Sequence, residues 1–288
     1  MTERPTRVID AHVHLWDPAR TDWYPYLAHP PSGGPGDASR MYRRFDADMY
    51  EAEAAGWNVE KIVNVAAATG RNSVDETIEL DAIADSAGRP NAIIGGLPPT
   101  DSVAESVGLI DRQMAASRFR GVRPMGGMAE PLPAPEVLRA LQERDLVFEV
   151  MTHPDQLVAA ARGLEGFEDL TVVVEHTGWP RSGSAEERAL WQEGVDALAS
   201  AGQNVICKLS GLAMPFTSVG AEALGPWLEY ALDVFGTDRC LFASNFPVDS
   251  MFGTFDELFT TFSEVVGGLD EVSRDKLFAA NAERVYRL

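Results

Sequence analysis

Four of the chain's five histidines lie in short apolar runs, and their spacing is the first thing in the sequence that can do chemistry. The first run reads Val8-Ile-Asp-Ala-His-Val-His-Leu15. Side chains alternate along a β-strand, so this spacing predicts that Asp10, His12 and His14 share one face. Two imidazoles at i and i+2 near a strand's carboxyl end can hold one divalent ion, with zinc suited to nitrogen ligands. The other reading of the same spacing is a hydrogen-bonded pair of core histidines. A second run, Val174-Glu-His-Thr-Gly178, puts His176 at a strand end. Met151-Thr-His153 adds a fourth histidine to the same rim, with Glu149 facing alike if that strand stays regular.

Other charged and polar side chains end similar runs. Arg123 closes Phe119-Arg-Gly-Val-Arg-Pro124 and can clamp a substrate carboxylate or polarised carbonyl. Alternatively it pairs with Asp10 or Glu149 inside the fold. Arg120, on the opposite face, reads as structural. Lys208 shares the facing of Ser210 and, once buried, needs a carboxylate partner. Asn245, in Cys240-Leu-Phe-Ala-Ser-Asn-Phe-Pro-Val-Asp249, can bind a substrate or ligate weakly through oxygen, but it cannot be a general base. Asp249 can be that base if the turn at Pro247 swings it over the site; otherwise it caps the next helix. Trp16, Trp23, Tyr24 and Tyr26 flank the first loop, either lining a substrate pocket, with Trp16 against the substrate, or anchoring the loop.

The elements that must position these groups follow from hydrophobic pattern. Nearly continuous apolar runs predict strands at 7–15, 61–67, 92–97, 119–124, 147–152, 171–176, 204–209 and 240–244. Helical spacing predicts helices at 48–57, 73–87, 102–117, 135–143, 185–201 and 221–235. Eight strand–helix alternations in this length predict a single-domain (β/α)₈ TIM barrel over residues 1–288, with an open doubly wound sheet as the alternative. In such barrels the carboxyl ends of the strands gather the active-site residues. The Pro/Gly-rich stretch 29–37 follows the first strand and reads as a lid or a tolerated insertion.

Composition narrows the partners. Of 288 residues 45% are hydrophobic, ample for one large core, and the net charge is −20. That balance argues against nucleic acid, which needs a dense basic footprint, and against anionic membranes. The two cysteines, Cys207 and Cys240, sit inside apolar runs, which fits a reducing compartment without a disulfide framework. No apolar stretch approaches the roughly 18 residues of a membrane span, and the polar first residues run straight into the histidine strand. The expectation is a cytoplasmic protein acting on a small molecule; homo-oligomerisation stays open, since no interface stripe stands out.

Taken in order, Asp10-Ala-His-Val-His-Leu-Trp-Asp-Pro18, Trp23-Tyr-Pro-Tyr-Leu27, Phe119-Arg-Gly-Val-Arg123, Val174-Glu-His-Thr-Gly-Trp-Pro180, Lys208-Leu-Ser-Gly211, Phe242-Ala-Ser-Asn-Phe-Pro247 and Asn281-Ala-Glu-Arg-Val-Tyr-Arg-Leu288 span nearly the whole chain. Together they resemble the amidohydrolase superfamily. The likeness is to the amidohydrolase 2 branch, which holds sugar-lactone, pyrone-dicarboxylate and muconolactone hydrolases. The resemblance implies water attack on a substrate carbonyl at the barrel mouth. It implies a metal held by His12 and His14, with His176 as a further ligand and His153 nearby. The ion would polarise the carbonyl and acidify bound water.

Two departures qualify that expectation. The fourth strand ends without a lysine, so a two-metal site bridged by a carboxylated lysine is not expected. Asn245 stands where the family usually has an aspartate that is ligand and base. Proton transfer then falls to Asp249 or a histidine such as His176. A metal-free mechanism, with arginines and histidines polarising the carbonyl, is the other possibility, and Arg123 suits it. The leading expectation is a lactone hydrolase using one divalent ion. The alternatives are a metal-dependent decarboxylase, an amide hydrolase or a non-catalytic binder.

Overall fold

The computed structural model describes residues 4–126 and 132–288. Its strands are β1 (Val8–Val13), β2 (Val59–Val65), β3 (Ala92–Leu97), β4 (Phe119–Pro124), β5 (Val147–Val150), β6 (Val172–Val174), β7 (Val205–Leu209) and β8 (Cys240–Phe242). They are parallel and follow one another in order round a single sheet. The ring closes where Val13 pairs with Phe246, and where the Asn245 amide donates to the His12 carbonyl at 2.9 Å. This is the (β/α)₈ barrel that the alternation predicts.

Helices α1 (Ala47–Glu53), α2 (Asn72–Ala87), α3 (Val103–Gln113), α4 (Pro135–Glu143), α5 (Pro154–Gly163), α6 (Ala185–Ala201), α7 (Ala213–Phe216), α8 (Ala221–Phe235) and α9 (Phe255–Val265) wrap the outside. Their starts are written locally. Ser102, Ser184 and Thr254 each accept a backbone N–H at the first turn of α3, α6 and α9, contributing about 1 kcal/mol apiece, and prolines open α4 and α5.

Alternation sorts the strand residues into two apolar layers. Val172, Val174, Cys207, Cys240 and Phe242 pack outward against the helices. Ile9, Ala11, Val63, Val173, Ile206 and Leu241 fill the interior. The chain's last segment adds Ala279, Ala282, Val285 and Tyr286 to that inner layer, and Asn281 Nδ2 donates to the Cys240 carbonyl, so it seals the amino end of the barrel. The carboxyl end is left for polar groups.

Several strands are shorter than their apolar runs. β5, β6 and β8 stop at Val150, Val174 and Phe242 rather than at 152, 176 and 244. Beyond β6 and β8 the backbone enters the left-handed region, at His176, Thr177 and Asn245. A strand cannot continue through that conformation. The 29–37 stretch is an exposed irregular loop whose end is fastened by the Asp37 amide donating to Met251 O at 2.8 Å.

Candidate active site

Three histidines converge above the inner apolar layer. On β1 the expected common face of Asp10, His12 and His14 is broken by a register shift against β2 between Asp10 and Val13. Asp10, between the inward Ile9 and Ala11, faces outward, where its carboxyl accepts from Tyr50 of α1 at 2.9 Å and from the Ser244 amide at 2.8 Å. The extra residue after it turns His12 inward. His12 and His14 stay together inside, with their Nε2 atoms 3.2 Å apart. His14 Nδ1 lies 2.8 Å from Val65 O. A carbonyl only accepts, so Nδ1 carries the proton and the Nε2 lone pair points into the site. Trp16 stacks on His14 at 5.5 Å with its rings nearly parallel. It is 4% exposed, and its indole donates to Arg43 O, so it anchors the loop and backs the histidine.

His176 arrives by a different route. Strand alternation from Val173 would put Glu175 inside and His176 outside. Instead His176, Thr177, Gly178 and Trp179 all have positive φ, at 53°, 57°, 73° and 39°. Each non-glycine residue there costs roughly 1–2 kcal/mol, and the turn brings His176 back so that its ring lies 4.6 Å from that of His12. His176 Nδ1 is 3.0 Å from Ser210 Oγ. Gly211 is indispensable beside it, since a Cβ there would lie 2.3 Å from His176 Nδ1 and the residue has φ +67°.

Glu175 therefore joins the histidines; it lies within 4.8 Å of His12 and His176, measured between ligand-capable atoms. Period-two alternation from the inward Val173 is the signal in the sequence that points Glu175 to the site. Arg123 pairs with Glu175, Nη1 to Oε2 at 3.1 Å, and not with Asp10 or Glu149. Its Nη2 donates to Ala66 O at 2.5 Å, and its buried Nε has no protein partner. Lys208 has its carboxylate as expected, donating to both oxygens of Glu149 at 2.8 and 2.7 Å, while the Tyr286 hydroxyl donates to Glu149 Oε1 at 2.7 Å.

Burial sets the protonation of this layer. It drives His176 down to about 4, His14 to about 3 and His12 well below 6.5, and the nearby Arg123 charge pushes all three the same way. All three are neutral imidazoles at pH 7. Burial alone would raise Glu175, yet the Arg123 charge, with His176 and Lys208, holds it at about 2. Burial raises Glu149 to about 7 despite Lys208, and Glu175 beside it adds to the rise.

These contacts leave two expected residues outside the group. Asp249 does not swing over the histidines. Asn245 Nδ2 donates to its Oδ1 at 2.9 Å, and it sits in an apolar pocket behind Gly211, against Leu224, Leu228 and Phe262 of the helices. Burial raises its carboxyl to about 7. Asn245 is thereby committed to Asp249. His153 is half-buried, with Nδ1 3.2 Å from Trp179 O, and reaches the group through the Trp179 ring, 5.1 Å from it and 5.3 Å from His176.

Comparison with known proteins bears on the whole barrel. The amidohydrolase family matches residues 9–288. The chain belongs to the amidohydrolase family. It is 32% identical to the uncharacterized protein y4mH of Sinorhizobium fredii, over 98% of each chain. It is 27% identical to an L-fucono-1,5-lactonase of Burkholderia ambifaria, over 97% of this chain and 95% of that one. An amidohydrolase of Burkholderia multivorans superposes with TM-score 0.80 in a crystal with bound HEPES and 0.78 in one with bound zinc. The identities are 24% and 23%, over 98% of this chain and all of that one, a likeness of fold.

This amidohydrolase has a donor set that fits one divalent ion. Two ligands on a tetrahedral zinc at about 2.0–2.1 Å stand roughly 3.3–3.4 Å apart, and the His12 and His14 Nε2 atoms are 3.2 Å apart. Glu175 Oε1 is buried without a protein partner, an expensive arrangement for a carboxylate oxygen unless something else satisfies it. Neutral imidazoles and an ionised carboxylate are the ligand forms such an ion takes.

Proposed function

We propose that this amidohydrolase opens a small lactone by adding water to the ring carbonyl at the carboxyl end of the barrel. The observation that carries the reading is the buried convergence of neutral His12, His14 and His176 on the ionised Glu175. His12, His14 and His176 would hold one divalent ion, zinc by its nitrogen donors. When bound, that ion would polarise the carbonyl and acidify the attacking water. The lactonase among the relatives supports the substrate class.

The chain's own groups supply the rest. Glu175 Oε1 has no protein partner and takes the water proton. With Glu175 held at about 2, the proton it receives passes to the adjacent Glu149, whose carboxyl burial raises to about 7. Arg123 holds Glu175 in place, and its buried Nε leaves a donor for the substrate. As the ring C–O bond breaks, the proton passes to the ring oxygen and a hydroxy acid is released. His153 with Trp179, whose rings lie 5.1 Å apart, and the 43% exposed Tyr26, 6.3 Å from the Trp16 ring, would be the aromatic groups to meet the rest of the lactone ring.

Proton release against a panel of sugar and carboxylated lactones, with metal content measured on the same protein, tests this reading. Turnover abolished by a chelator and restored by zinc is expected. A zinc-replete protein that opens no lactone refutes the lactonase reading, and turnover by protein free of metal refutes the role given to the ion.

A further inference from the structure

The left-handed turn at 176–179 cannot hold itself. Four successive residues have positive φ, and three of them carry side chains that disfavour it. Thr177 is β-branched and fully buried, and its hydroxyl has no partner. A turn of this kind persists only where its surroundings over-determine it. Those surroundings are identifiable. The Trp191 indole N–H donates to the Thr177 carbonyl at 2.6 Å. Gly178 lies so close to Leu157 that a Cβ there would meet its Cδ1 at 2.9 Å. Trp191 is itself completely buried on α6, with the Trp227 ring crossing it edge-on at 4.7 Å.

We infer that Trp191, from the second layer of the barrel, is a positioning residue for the site: its indole N–H on the Thr177 carbonyl holds the turn that aims His176. The inference rests on the proposed function for what His176 does, though not for how it is held. Thr177 is the residue after His176, and its carbonyl belongs to the peptide that leads into Gly178. Fixing that carbonyl fixes the turn on the side away from the substrate, while Ser210 fixes the imidazole itself. Phenylalanine at 191 would keep the ring packing and remove only the donor.

The test compares Trp191→Phe with Trp227→Phe, which disturbs the same aromatic packing but touches no backbone atom of the turn among the described contacts. Zinc affinity by chelator competition and the split of lactone turnover into kcat and KM are the readouts. Trp191→Phe is expected to bind zinc about tenfold more weakly and to lose kcat by a similar factor with KM nearly unchanged, as outer-shell changes do. Trp227→Phe is expected to lose thermal stability with both readouts within twofold of wild type. Equal zinc affinities in the two variants would overturn the inference. If Trp191→Phe does not fold, the wild-type indole N–H resonance of Trp191 decides: it should move when zinc is added, and a resonance that stays put overturns the assignment. Wild-type protein that binds zinc and opens no lactone defeats the proposed function and leaves the zinc comparison to judge Trp191.

Discussion

The β1 and β6 corners deliver histidines to the same point at very different cost. At β1 one extra residue in the register rotates the pair inward, and the backbone carbonyl of Val65 on the neighbouring strand fixes the His14 tautomer. Everything required is local and comes from adjacent strands. At β6 the single His176 is turned through a run of left-handed residues. That run depends on Trp191 from α6, on Ser210 and Gly211 after β7, and on Leu157 from α5. A bulge is an inexpensive way to re-aim a strand residue. A strained turn costs several kcal/mol, and the surrounding packing must offset it. The β6 corner should therefore respond to changes far from the histidine, and the β1 corner should not.

The largest effect should come from removing a proposed metal ligand. His12→Ala should lower kcat/KM by more than the roughly 100-fold that bounds an outer-shell change, with loss of bound zinc; steady-state kinetics and elemental analysis check it. Ser210→Ala strips the His176 Nδ1 partner and should cost roughly 10–100-fold in the same measurement. A β6 corner as insensitive as the Val65-backed pair would leave activity unchanged.

Gly211→Ala tests the corner by volume. Its Cβ would collide with the His176 ring, and the residue would be strained at φ +67°. We expect a loss of about 1–3 kcal/mol in denaturant unfolding, with impaired turnover. The smallest effect concerns the β8 corner, where Asp249 is raised from 3.8 to about 7 by burial. The folded state then holds this proton more tightly than the unfolded state. Its contribution to stability is present in full below about pH 4 and is lost as pH rises through 7. Glu76 and Glu149, both raised to about 7, act in the same direction. The depressed His12, His14 and His176 act in the opposite direction up to about pH 6.5. The readout is therefore the difference in unfolding free energy between wild type and Asp249→Asn, which should decline as pH rises from 5 to 8.

The departures at Asp10 and His176 share one origin. Period-two alternation is a reliable guide while a strand is regular, and β4, β5 and β7 obey it: Arg123, Glu149 and Lys208 all point inward as spaced. At β1 and β6 the regularity fails within a residue or two of the chemistry. Asp-Ala-His carries no glycine to mark a bulge, and at β6 the left-handed turn begins at His176, two residues before Gly178, the glycine that would announce it. The buried Glu76, which accepts from the Ala67 and Ala68 amides and the Tyr24 hydroxyl and so ties the first loop to β2, carried no local signal either.

What the chain determines by itself is the order and type of its elements, and with them the end of the barrel that holds chemistry. Those rest on apolar periodicity, capping residues and histidines at strand ends, which are properties of neighbours in sequence. Tertiary structure alone decides which carboxylate meets which cation, where Asp249 goes, and that His176 faces inward at all. Those outcomes depend on burial and on partners as far as 137 positions away, as with Glu149 and Tyr286. The energy of a buried charge or a strained turn is set by what surrounds it, and the surroundings exist only once the barrel has closed.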